Sequence, residues 1–556
     1  MTFYRVELYH HCRSKIGRGT IRIINNPTFQ SGLINRIHIL LAACALLGLS
    51  ACNDYLDKLP DDRAQVNTQE KVQKLLASAY PTNMPNLLFE MSSDNVTDNG
   101  TQYAATPAQD EMYRFKDDPN TDNDDPYTLW NGFYYRVGTC NEALADLKAI
   151  GDTATYPAEY AEALMARAYN MYELASIFCM AYNPDSTDVY LGLPYPTEPE
   201  KSVNTQYKRG TLKELYANIN RDIEAALPRI SDSYMTTPKY HFNKSAAYAF
   251  AARFNLMVHN YDKAIEYANM VLGTNPGNRL RDYSQFMDMA PKDLQNAYVR
   301  SAENANLLII TAYSSASRAL TWSSSFRRYG HNRNIDVNET FYAKAPWGSG
   351  SSNNTLVYAH KILQYNAAQQ YFPKVQEFFE TTDKVNNTGY AHIVFPAFST
   401  EETLLVRAEA YAMKKDYSHA LDDMNAWIRS HCVPSNGTAR RPILTEENLN
   451  KFVDGVRYSE VVPTANSQRT IKKTLHPQGF TVETGTQENF IQMILHMRRL
   501  ETWGEGLRFM DIKRYGIEYG HLLDGEDPII FRAADKRGAI QLPEDVINAG
   551  LEANPR

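Results

Sequence analysis

Apolar residues recur at three- and four-residue steps over much of the chain, as they do in helices that bury one stripe. This pattern predicts helices over 69–79, 128–149, 157–182, 211–227, 244–258, 260–273, 401–414, 417–430 and 487–514. Thr211 and Asn243 stand where a side chain caps a first turn, and Gly273 ends its helix with Pro276 shortly after. Strand-like runs are few: 307–311, 392–395 and 538–542. The chain reads as mostly α.

Two helix pairs repeat one design. Ala251 and Ala252 precede Tyr261-Asp-Lys-Ala264, then Ala268 and Pro276; Ala408 and Tyr411 precede Tyr417-Ser-His-Ala420, then Met424 and Trp427. Small residues let the helices of a hairpin approach closely while aromatics fill the gaps beside them, as in tetratricopeptide-type units. Segments 128–149 and 157–182 form a more degenerate pair. Residues 274–400 differ: they are rich in Ser, Asn, Gly and Tyr and show little periodicity, the mark of a large irregular insert.

Residues 37–51 are apolar, follow basic residues, and are too short to span a bilayer. They end at Leu49-Ser50-Ala51-Cys52, the pattern of a bacterial lipobox, so Cys52 is the expected lipidation site and 1–51 the expected signal peptide. Acyl chains on one residue suffice for stable anchoring. The stretch before the apolar run is longer than an ordinary signal, which a start codon about 30 residues downstream would explain. Residues 52–68 are a polar, Asp-rich leash, and 69–556 are expected to form a single domain.

Composition is that of a globular protein, with 43% hydrophobic and 22% charged residues, but Tyr is abundant at 37 copies. Without the six basic residues and one acidic residue of positions 1–51, the 57 basic and 64 acidic residues fall to 51 and 63, a net charge of −12. Such a surface repels phosphate backbones, so nucleic acid is excluded as a partner. Cys140, Cys179 and Cys432 are too widely spaced for a zinc site or disulfide framework, and Cys140 and Cys179, which lie in helical patterns, suit small buried positions.

No catalytic signature is present: no His-Glu-x-x-His, P-loop, dinucleotide fingerprint or nucleophile elbow. Asp118, Asn120 and Asp122 alternate as in a calcium loop, but Asn123 replaces the glycine and Leu129 the bidentate acid. No enzyme activity, metal or cofactor is therefore expected.

Four segments, in order, resemble the SusD/RagB family of nutrient-uptake lipoproteins of Bacteroidetes. They are Cys52-Asn-Asp-Tyr-Leu-Asp-Lys-Leu-Pro-Asp-Asp, the repeat segment from Thr403 to Leu421, Arg498-Arg-Leu-Glu-Thr-Trp-Gly-Glu-Gly-Leu-Arg-Phe-Met-Asp-Ile-Lys-Arg-Tyr-Gly, and the closing Ala539-Ile-Gln-Leu-Pro with Ala553-Asn-Pro-Arg. The resemblance implies a SusD-like fold with helical repeats mainly at 128–273 and 401–430, a ligand-binding insert at about 274–400 and a C-terminal helix over 487–514. It also implies an outer-membrane location facing the cell exterior, a SusC-like TonB-dependent barrel as partner, and an oligosaccharide ligand. Peptide capture, or a lipid-anchored scaffold that binds proteins, are the alternatives.

Family ligand residues vary between members, so the candidates rest on chemistry. Aromatics in irregular segments offer flat faces to sugars, and nearby acids and amides offer partners to hydroxyls. Trp322, Tyr329 and Trp347 lead, followed by Tyr103 and Asp98 in a loop that also holds Asp94, Asn95 and Asn99. Trp130, Trp427 and Trp503 lie in helical patterns and are expected in the core.

Overall fold

Helices form where the apolar stripes place them. The computed structural model describes residues 67–556 except 152–153, 202–204, 321–326, 352–354, 367–368, 376 and 434–440. Its principal helices are α1 (Gln69–Leu76), α2 (Pro126–Ile150), α3 (Pro157–Phe178), α4 (Leu212–Ala226), α5 (Lys244–Met257), α6 (Tyr261–Leu272), α7 (Thr400–Met413), α8 (Tyr417–His431), α9 (Thr486–Glu501) and α10 (Leu507–Tyr515). Thr211 accepts a hydrogen bond from the Glu214 amide in a reciprocal capping box, and Asn243 accepts from Ala246. Both caps fall where the sequence puts them.

The pairs α5–α6 and α7–α8 share one turn, which explains their common sequence. Each crosses over at a residue with positive φ, His259 (64°) or Lys415 (62°), followed by an N-cap, Asn260 or Asp416, and then a Tyr. The caps accept from the amides of Lys263 and His419. Asn260 donates its amide to Asn255 O at 2.8 Å, and Asp416 donates to Tyr411 O at 2.9 Å, closing the preceding helix in the same way. The pairs α3–α4 and α7–α8 share a buried bolt between their helices: Arg167 to Asp222 at 2.7 Å and Arg407 to Asp423 at 2.6 Å.

Helix α7 is the centre of the molecule. It is buried from Thr400 to Ala410, because α5, α6, α8 and α9 all pack on it. The expected helix 487–514 is two helices, broken at Thr502–Gly506. Gly504 and Gly506 adopt positive φ (79° and 84°), and both donate their amides to the buried Glu90 carboxylate at 3.1 Å. A Cβ on Gly506 would lie 3.1 Å from Phe89 Cβ and 3.4 Å from Asn86 Cα, so backbone conformation and close packing both require glycine there.

The charges of 498–515 do not form a solvated surface ladder. Arg498 reaches Asp511 at 2.9 Å, Arg514 holds both Asp511 and Glu409 of α7, Arg508 pairs with Asp94 at 2.7 Å, and Arg499 with Glu339 at 3.2 Å. All are buried. The helix docks through its ion pairs as well as its apolar face.

The insert is less irregular than its composition suggests. Strand β2 (Asn306–Tyr313) contains the run 307–311, and after β1 (Thr97–Asp98) and β3 (Tyr329–Gly330), strands β4 (Glu377–Asp383) and β5 (Thr388–Ser399) complete an antiparallel sheet in the order β2-β5-β4. Run 392–395 lies in β5. Run 538–542 is not a strand: its first residue ends a 3₁₀ turn and the rest is extended without a ladder partner. A hairpin of β6 (Tyr519–Leu523) and β7 (Glu526–Phe531) turns at Gly525, where φ is 77°. Cys140 and Cys179 are buried free thiols, as expected, and Cys432 is a third.

Candidate ligand-binding site

Two segments far apart in sequence meet at one surface. Strand β1 pairs with β3, setting Thr97 opposite Gly330 and Asp98 opposite Tyr329. The contact continues beyond the ladder: Asn99 donates its amide to Arg328 O at 2.7 Å and its side-chain amide to Arg327 O at 3.0 Å, while Asn332 donates to Asn99 Oδ1 at 2.9 Å. Arg328 returns a bond to Ala104 O at 3.0 Å. The loop 98–104, with candidates Asp98 and Tyr103, and the segment 327–332, with candidate Tyr329, thus form one ledge.

Asp98 is the clamp of that ledge. Its carboxylate takes Arg328 in a forked pair at 3.0–3.2 Å, the Gly100 amide at 2.9 Å and the Asp524 amide at 3.2 Å. With its side chain 1% exposed, it is committed to the protein, which corrects its assignment as a ligand contact. The tip stays open. Thr101 is tied through its amide and hydroxyl to Asp524 at 3.0 and 3.1 Å, Gln102 is exposed, and Tyr103 is half-buried.

Beneath the ledge lies a stack of rings. Tyr329 stacks on Tyr113 at 4.1 Å, and Tyr113 stacks on His521 of β6 at 3.9 Å with the two rings nearly parallel. The Tyr113 hydroxyl donates to Leu522 O at 2.9 Å and accepts from the Asp98 amide at 3.0 Å. His521 places Nδ1 2.6 Å from Tyr113 O and Nε2 2.9 Å from Ser93 O, and burial pushes its pKa down to about 4. Tyr329 is 1% exposed, and its hydroxyl donates to Asp110. It is floor, not contact surface, because its ring is covered by Tyr113 and its polar end is taken. Deeper still, burial alone would raise the Asp94 carboxyl, but Arg499 and Arg508 outweigh it and hold Asp94 well below the usual carboxylate range.

Trp347 is also corrected. Ala345 and Gly348 exchange backbone bonds at 2.8 and 2.9 Å, and this tight turn folds the ring inward. There it lies parallel to His496 at 5.7 Å and against Trp427 at 5.6 Å, only 4% exposed. The Gly/Ser-rich neighbourhood that suggested a surface loop supplies the turn that buries it. Trp130, Trp427 and Trp503 are in the core, as expected. Trp322 and Cys52 lie outside the described residues, so of the five ligand candidates Tyr103 is the one described and accessible.

Sequence reasoning missed Tyr113, His521 and Asp524. No periodicity marked them, because each acts through a partner hundreds of positions away. Among the described residues no group of three or more His, Cys, Asp and Glu is arranged to hold a metal, and no helix is long and apolar enough to cross a membrane.

Comparison with known proteins supplies the family. Residues 54–256 match a family model described as SusD-like, "starch-binding associating with outer membrane", and residues 321–541 match the model of the SusD family. No curated protein matches in sequence. Among solved structures, a putative sugar-binding protein of Bacteroides vulgatus is similar at 16% identity, covering 88% of this chain and 99% of its own, with a TM-score of 0.61. A SusD superfamily protein of Bacteroides thetaiotaomicron is similar at 18% identity, covering 88% and 100%, with a TM-score of 0.57. One from Bacteroides fragilis covers 86% and 96% at 18% identity and a TM-score of 0.55. The two models together span well over half of the chain and the structural likeness extends across both, so the chain belongs to the SusD family.

Proposed function

We propose that this protein is a lipid-anchored, outer-membrane glycan-binding lipoprotein that captures oligosaccharides outside the cell and passes them to a SusC-like TonB-dependent barrel. The observation that carries the reading is the ledge. A SusD-family helical body joins loop 98–104 to segment 327–332 and leaves a half-buried tyrosine, an amide and a hydroxyl at its tip. That combination offers a stacking face beside hydrogen-bonding groups, which is what a sugar presents in return. No general acid–base pair or nucleophile is part of the reading, so bound glycan is released unchanged.

The test is native electrophoresis through gels cast with amylopectin, xylan, pectin, mannan, fructan or mucin glycans. At least one should retard the mature protein, and Tyr103→Ala should weaken that retardation about fivefold, the worth of one stacked ring. The protein should also leave membranes when Cys52→Ala removes the acyl site. Free migration in every gel would overturn the ligand class, and a Cys52→Ala protein that stays membrane-bound in cells without the barrel would overturn the anchor.

A further inference from the structure

The outer face of the β2-β5-β4 sheet breaks the usual pattern of an amphipathic sheet. Its inner face is ordinary: Ile310, Ala312, Ile393 and Phe395 point to the core. Period-two alternation then puts polar residues on the solvent side. Here the solvent positions are rings. Tyr313, His392 and Phe378 occupy one register row across the three strands, and Tyr390 stands in the next row opposite Glu380.

These rings touch one another. Tyr313 meets Tyr390 edge-on at 5.7 Å and His392 edge-on at 6.4 Å, and Phe378 stacks on His392 at 6.2 Å. Tyr390 is 58% exposed, and the other three are half-buried. Exposed Thr311 and Glu380 flank the rings with a hydroxyl and a carboxylate. A contiguous ring surface of this kind on a solvated sheet marks a binding face.

We infer that this sheet face is a second carbohydrate contact, an aromatic platform on which an oligosaccharide stacks against the exposed Tyr390 ring. The inference rests on the glycan-binding reading above. Two features select a sugar as the occupant: the face is aromatic with Tyr390 open to solvent, and its rim carries groups that pair with hydroxyls. Connectivity bounds the gap to the ledge: Tyr313 and Arg327 are fourteen positions apart in sequence, a span of at most about 50 Å. A long chain could engage both, with the platform contributing reach.

The experiment uses the same gels with Tyr390→Ala and Phe378→Ser, and follows each variant's melting temperature. Tyr390 is more than half exposed, so its removal should leave melting unchanged while weakening retardation by the responding polysaccharide about fivefold or more. A short oligosaccharide from the same polymer should compete equally with wild type and Tyr390→Ala, because it fills the ledge alone. If the wild type is retarded and Tyr390→Ala migrates identically to it, the platform falls while the glycan reading stands. If no polysaccharide retards the wild type, both fall. Concentration-dependent self-association that disappears in Tyr390→Ala, with retardation intact, would reassign the face to a second copy of the chain.

Discussion

Trp347 shows what decides the fate of an aromatic residue. Composition placed it in a flexible stretch of Gly, Ser and Asn, yet the backbone bonds between Ala345 and Gly348 turn it onto Trp427 and His496. Local sequence carries the turn signal but not which side of the turn faces the core, since that depends on helices α8 and α9. Asp98 and Tyr329 were misjudged for the same reason: their partners, Arg328, Asp110 and Tyr113, become visible only once strands are paired. Trp347→Ala should therefore act on stability and not on binding. Removing a buried indole costs about 3–5 kcal/mol, read as a lowered denaturant midpoint, with retardation by polysaccharide unaltered once the variant is refolded at low temperature. A variant that melts like wild type but loses glycan binding would return Trp347 to the ligand site.

Secondary elements were largely legible because helix periodicity and caps are local. The nine helical segments fall on observed helices, and the repeated Tyr-x-x-Ala step reflects a shared turn at His259 and Lys415. What escaped is non-local. Hairpin β6–β7 is held to the body by Tyr113 and Asp98, and the break between α9 and α10 is set by Glu90, more than 400 positions upstream. The apolar spacing continues through 502–506, so periodicity alone draws one helix where two glycines and a buried carboxylate make a corner. Gly506→Ala tests that account. It forces a Cβ against Phe89 at a φ of 84°, and the strain should cost about 1–3 kcal/mol. The melting temperature should drop by several degrees, whereas Gly525→Ala, whose Cβ would meet open space, should lose only the smaller conformational part. Equal losses at both positions would mean that the packing at the corner contributes nothing.

At the scale of the whole molecule, the fold is an unusually charged interior, and its pH response follows from the groups buried there. Burial holds His496 and His259 neutral, with pKa values pushed down to about 3, and lowers His331 to about 4. Each is a folded pKa below the unfolded one, so its stabilisation is present above about pH 6.5 and is lost as pH falls toward the folded value. Burial acts oppositely on Glu173, Asp336 and Glu505, raising each to about 7, so the stability they contribute is present below about pH 4.3 and is lost as pH rises toward 7. Between about pH 4.5 and 6.5 the two trends oppose each other and stability should be nearly flat. Below that window nothing offsets the loss. For Glu501 and Glu339, burial is outweighed by His431 and by Lys473 respectively, and both are held down at about 2, so they add to the decline. His496 isolates one contributor: both its ring nitrogens lack partners, and Arg499, Arg508 and Lys473 add to the cost of charging it. Phe keeps the parallel contact with Trp347 and cannot take a proton. In urea titrations from pH 8 to 3, the stability gap between His496→Phe and wild type should widen below pH 6.5 by about 1.4 kcal/mol per pH unit. A gap that stays constant across that range would show that His496 already carries its proton in the folded protein, and that the acid limb belongs to the carboxylates alone.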